Sequence, residues 1–92
     1  MTLCITLYYN MEKLIWDDLI IDHIKKHNVK VEEVEEAFTN KKIESESYLN
    51  RKKILGITKK GRLITIIISQ SLCVVTARDM SRKEITKYYE KT

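Results

Sequence analysis

The sequence predicts an α+β domain: two N-terminal helices, an antiparallel four-stranded meander sheet and a C-terminal helix. Three observations predict it. Apolar residues recur at helical spacing between Asp17 and Asn28, between Val31 and Asn40, and again after Ser81. From Ile43 the pattern changes to runs rich in β-branched residues, broken at Leu49-Asn50, Lys59-Lys60-Gly61 and Gln70-Ser71. Breaks that short exclude crossover connections, so consecutive strands are antiparallel neighbours. Helices segregated from an antiparallel sheet define the class.

Each element has its own signal. Thr2 to Tyr9 alternates, so residues 1–10 read as an extra edge strand or as a leader before Met11. Leu14 to Trp16 reads as a short strand. Asp17 is a good N-cap and Asp18 suits a first turn, where a carboxylate meets the positive end of the helix dipole. Ile20, Ile21 and Ile24 form the apolar stripe of a helix ending near His27. Asn28 stands where a left-handed C-cap is needed. Val31, Val34, Ala37 and Phe38 mark a second helix with Glu32, Glu33, Glu35 and Glu36 outside. Lys30 at its start offers no acceptor for the free N–H groups. Four strands follow, at about Ile43–Tyr48, Lys52–Thr58, Arg62–Ser69 and Leu72–Arg78. Gly61 supplies a positive φ for its turn. Ile64 to Ile68 is too apolar for an edge, so that strand is central. Ser81-Arg82-Lys83-Glu84 is a capping box, and Ile85, Tyr88 and Tyr89 then face the sheet.

A chain of 92 residues makes one domain with one modest core. No apolar run approaches the roughly 20 residues of a membrane span. The first residues lack a basic n-region, which argues against a signal peptide and for a cytoplasmic protein. Cys4 and Cys73 are too few for a disulfide framework or a zinc site, and read as reduced core residues. The charge is unevenly placed. Residues 1–50 hold six lysines and ten acids, whereas residues 51–92 hold eleven Lys or Arg and three acids. All four arginines lie in that second half. Such a basic face is the footprint of a nucleic-acid binder, and arginine is the better phosphate fork. The plainer reading is a solvated lysine-rich surface.

Three constellations carry chemistry. His23 and His27 share a helix face, but two ligands do not make a metal site. His27, beside Lys26, is a candidate proton donor or acceptor, since histidine titrates near neutrality. Its plainer role is to cap free carbonyls. Arg62 opens one strand and Arg78 closes the next. If those strands are neighbours, both arginines meet at one sheet edge with Arg82 above them. Such a cluster needs an anion, or pairing with Asp79, Glu84 or Glu90. Tyr48, Tyr88 and Tyr89 are candidates for base stacking, with two of the three expected in the core. There is no G-x-G-x-x-G, P-loop, H-E-x-x-H or Ser-nucleophile motif.

The ordered set of short motifs resembles BrnT-type toxins. Ile15-Trp16-Asp17, Lys26-His27-Asn28-Val29, Glu32-Glu33-Val34 and Ala37-Phe38 match the opening of that pattern. Arg51 with Gly56, Gly61-Arg62-Leu63, Val75-Thr76-Ala77-Arg78 and Ser81-Arg82-Lys83-Glu84 follow in order and spacing. The match covers about Leu14 to Tyr89. His23, Asn28, Lys30 and residues 1–10 depart from the pattern. The resemblance implies a RelE-like fold and a toxin of a type II toxin–antitoxin pair that blocks translation by cutting RNA without a metal or cofactor. It also implies a small DNA-binding antitoxin as partner, a ribbon-helix-helix protein, and contact with DNA only through it.

Together these readings make the expected activity that of an endoribonuclease. His27 is the expected acid or base, with Arg62 and Arg78 as a phosphate clamp. Lys26, Arg51, Lys59, Lys60 and Arg82 are the expected substrate contacts. The alternative is a non-catalytic RNA- or antitoxin-binding module of the same fold.

Overall fold

The computed structural model describes residues 13–90, and its architecture is the expected α+β. Helices α1 (Asp18–Lys25) and α2 (Val31–Thr39) lead into strands β1 (Lys41–Glu46), β2 (Lys52–Ile57), β3 (Leu63–Ile68) and β4 (Val74–Asp79). Helix α3 (Arg82–Glu90) closes the chain. The sheet is an antiparallel meander in the order β1-β2-β3-β4, so β3 is interior as its composition requires. The expected N-terminal edge strand or leader at residues 1–10 lies outside the described residues. The expected strand at Leu14–Trp16 is reduced to one parallel bridge between Ile15 and Cys73.

Local chemistry sets the helix ends. The Asp17 carboxylate accepts the Leu19 N–H at 2.8 Å. Asn28 adopts φ 60°, the left-handed conformation that ends α1. Lys30 provides no side-chain cap, but the Glu33 carboxylate accepts the Lys30 N–H at 3.0 Å, which satisfies one donor at the start of α2. The Ser81–Glu84 capping box forms in both directions, with Glu84 N–H donating to Ser81 Oγ at 3.3 Å and Ser81 N–H to Glu84 Oε1 at 2.8 Å. Gly61 takes φ 91° in the β2–β3 turn.

The sheet separates two cores. On one face, Ile54, Ile64, Ile66, Ile68, Val74 and Ala77 pack against Ile24, Val29, Val34, Ala37 and Phe38 of the α1–α2 layer. Burying each such isoleucine contributes about 2 kcal/mol, so β3 anchors this core. Gly56 permits the close approach of α2, because a Cβ there would run into the Ala37 carbonyl. On the other face, Ile43, Leu55, Met80 and Tyr88 form a smaller core under α3, flanked by Ile57, Leu63 and Ile85. Register shifts in β1–β2 near Lys42 and in β3–β4 near Val75 reset which residues face each layer. The second shift lets both Val74 and Ala77 point at the α1–α2 layer.

Candidate nucleic-acid interface

Strand alternation lays two rows of side chains across the α3 face of the sheet. In register, Ile43, Leu55, Thr65 and Arg78 make one row, and Ser45, Lys53, Ile67 and Thr76 make the next. Helix α3 covers the first row. The second is a half-exposed shelf along its flank.

Glu84 joins the rows. The capping box fixes it at N3 of α3, and from there its buried carboxylate collects donors from three strands. Arg78 Nη1 and Nη2 donate to Oε1 and Oε2 at 2.8 and 3.0 Å. Lys53 Nζ lies 2.8 Å from Oε2 and Thr65 Oγ1 donates to Oε1 at 2.8 Å. Burial opposes ionisation of Glu84, yet the bonds from Arg78, Lys53, the Ser81 N–H and Thr65 outweigh it and hold the carboxyl well below the usual range. Two cations therefore share one carboxylate. The Arg78 and Lys53 side chains stay 38% and 34% exposed, so the node presents surplus positive charge at the shelf.

Arg62 sits in a different environment. It enters from the β2–β3 turn on the α1–α2 side. Its Nε and Nη2 donate to the two oxygens of Asp79 at 2.7 and 3.2 Å. Its Nη1 donates to the Asn28 carbonyl at 2.8 Å and to Glu33 at 3.0 Å. The hydrogen bond from Arg62 holds Asp79 below the usual carboxylate range. For Glu33, burial pushes upward, but the Lys30 N–H and Arg62 win and the carboxyl is lowered. One cation here serves two carboxylates, which leaves no spare positive charge.

The expected convergence of Arg62, Arg78 and Arg82 on one edge is therefore corrected. Asp79 pairs with Ile64 and Arg78 with Thr65, so neighbouring residues of β4 point to opposite faces. Arg62 follows Asp79 to one face, while Arg78 turns to the other. Each takes the internal carboxylate that the plainer reading allowed. His27 is exposed in the turn before Asn28, on the Arg62 side, and so is separated by the sheet from Arg78. Its ring meets that of His23 edge to face at 5.2 Å.

The proposed substrate contacts scatter. Lys26 caps α1 beside His27. Lys59 and Lys60 line a groove of about 510 Å³ with Glu32, Glu33 and Glu36, on the acidic side of the molecule. Arg51 precedes β2 at the end of the sheet away from Arg62, about 20 Å along the strand. Arg82 is exposed at the first position of α3, on the Arg78 side. Of the tyrosines, Tyr88 is buried, while Tyr48 and Tyr89 are 86% and 56% exposed, so one of the three is core rather than two. Cys73 is half-buried with a free thiol, and Cys4 lies outside the described residues.

Lys53 escaped the sequence reading. Its signal was the alternation of β2, which puts it two residues from buried Leu55 on the same face. The acidic excess of the first half lies in one layer: residues 13–40, the α1–α2 side, hold four lysines and seven acids. Among the described residues no helix is long and apolar enough to cross a membrane. Comparison of the chain with models of protein families, with curated proteins and with solved structures finds no match.

Proposed function

We propose that the chain is the toxin of a type II toxin–antitoxin pair and acts as a metal-independent endoribonuclease in the cytoplasm, with its antitoxin a small DNA-binding protein. The reading rests on the ordered motif set and on one structural observation. Lys53 and Arg78 share a single buried carboxylate beside a half-exposed shelf, so a phosphate oxygen can take up their remaining donors. In cleavage of this kind the RNA 2′-oxygen attacks the adjacent phosphorus and the 5′-oxygen leaves. A base removes the 2′-hydroxyl proton and an acid protonates the leaving oxygen. Cations at the shelf would stabilise the extra charge of the transition state. Arg62 keeps a structural part in this reading, as the tie between the α1–α2 turn and β4.

The position of His27 favours a second reading. An imidazole across the sheet from Arg78 does not serve a phosphate held there. That supports a non-catalytic module which binds RNA or antitoxin through the same face. The two readings separate when purified protein is incubated with single-stranded RNA in EDTA and the cut ends are mapped. Cyclic phosphate ends support the enzyme, and Arg78→Lys, which keeps the Glu84 pair but loses the guanidinium fork, should slow cutting about 100-fold. RNA retained but intact supports the module. RNA neither retained nor cut sinks the enzyme and leaves the module only as a binder of antitoxin.

A further inference from the structure

The shelf beside Glu84 does not end at Lys53. The β1–β2 ladder runs one step further toward its turn, where Ser47 N–H donates to the Arg51 carbonyl at 2.7 Å. Arg51 is extended, at φ -94° and ψ 165°. Strand alternation therefore returns Arg51 to the face of Lys53 and Leu55, about 7 Å beyond Lys53. Its side chain pairs with no carboxylate among the described residues. The acids of the strands lie on the opposite face. Glu44 pairs with Ile54, Glu46 with Lys52 and Asp79 with Ile64, and these rows face the α1–α2 layer. Lys13 and Asp17, also at this end, belong to the segment that enters α1. Arg78, Lys53 and Arg51 thus form a line of three cations that meets one carboxylate, Glu84.

Tyr48 stands at the end of that line. Arg51 N–H donates to the Tyr48 carbonyl at 3.0 Å, so Ser47 and Tyr48 together oppose Arg51. The tyrosine is 86% exposed. The turn that carries it is held in place. Leu49 adopts φ 57° and ψ 38°, and Asn50 φ 60°. A bulky residue enters that region at a cost, so the turn must be over-determined to keep it. Beside the two bonds of Arg51, Gln70 Nε2 donates to the Asn50 carbonyl at 2.7 Å. A ring presented on a pinned turn gives up little freedom when something stacks on it. Tyr89, the other exposed tyrosine, already meets Tyr88 edge to face at 5.3 Å.

A track of cations that ends in an aromatic face is the chemistry of a single-strand site, where phosphates follow the charge and a base stacks on the ring. We propose that the chain takes an unpaired RNA segment, with phosphates on the Arg78–Lys53 node and then on Arg51, and with the next base stacked on Tyr48. The inference rests on the reading of the shelf as the place where RNA is met. It adds the direction of the strand's path and a requirement for an unpaired base. A duplex keeps its bases stacked on one another and offers Tyr48 none.

Binding of a fluorescent single-stranded RNA to the full chain tests it. The probe carries 2′-O-methyl groups, so it has no attacking hydroxyl and is bound without being cut. Tyr48→Ala should weaken binding about tenfold at unchanged salt slope, because a stacked base releases no counterions. Tyr48→Trp should keep the affinity, and Leu49→Ala, one residue on, should leave it unchanged. Arg51→Gln should lower the salt slope by about 0.7. The same probe annealed to its complement should bind wild type and Tyr48→Ala equally. Single-strand binding that Tyr48→Ala leaves unchanged, or that Leu49→Ala weakens as much, overturns the inference. If Lys53→Gln weakens binding in that same series, the reading of the shelf still stands. A wild type that retains no single-stranded RNA overturns the inference and the reading of the shelf together.

Discussion

The two arginine nodes of this molecule look alike in sequence and differ in charge balance. Arg62 lies between Glu33 and Asp79, one cation on two carboxylates. Arg78 shares Glu84 with Lys53, two cations on one carboxylate. The first node faces an acidic helix layer and the second a half-exposed shelf. A guanidinium in a salt bridge can thus still present positive charge at the surface. What matters is whether its neighbourhood keeps positive charge after the internal pairing, and only the Arg78 node does.

The largest expected effect is on Glu84. Removing it strands Arg78 and Lys53 and opens the Ser81 cap, so Glu84→Ala should cost about 3 kcal/mol. Urea unfolding should show a lower midpoint at unchanged slope. A cost no greater than that of Arg62→Ala would break the contrast between the nodes.

The acid limb of stability comes next. The folded-state pKa of Glu84 is depressed, so its contribution is complete above the ordinary glutamate range and is lost as pH falls below it. Stability should hold from neutrality to about pH 5 and then decline. Asp79 and Glu33 are lowered too and add to the same decline. Glu84→Gln should remove most of the slope, since its carboxylate is the buried one. Thermal melts of both proteins between acid and neutral pH check this, and parallel curves would contradict it.

A smaller effect is expected at Arg62. Its partners are partly solvated, with the Asp79 side chain 63% exposed. Exposed ion pairs contribute little, so Arg62→Ala should cost about 1 kcal/mol, most of it from the lost bond to the Asn28 carbonyl. The same unfolding titration measures it.

Much of the fold was legible because the signals were local. Asp17, Asn28, Gly61 and the Ser81–Glu84 box each act within a few residues, and all four occur as read. Short turns dictated the meander. The site was not legible to the same degree, because a face is decided by register, and a shift of one residue inverts it. Arg62 lies just outside β3 and Arg78 inside β4, so their relation depended on the Thr65–Arg78 pairing, which no local signal states. Lys53 was hidden for the same reason. The bulges near Lys42 and Val75 break the alternation further. The exposure of Tyr89 also went unread, since the helical spacing that buries Ile85 and Tyr88 does not fix on which side of the stripe the next residue falls.

If RNA is met on the Lys53–Arg78 shelf and not at Arg62, the two nodes respond differently to loss of a cation. Binding of fluorescent single-stranded RNA across a salt series, with Lys53→Gln and Arg62→Gln beside wild type, tests it most directly. Both variants leave Glu84 paired with Arg78. Lys53→Gln should weaken binding and lower the salt slope by about 0.7, the loss of one phosphate contact. Arg62→Gln should leave affinity and slope unchanged. A slope that falls for Arg62→Gln and holds for Lys53→Gln would place the RNA at Arg62 instead.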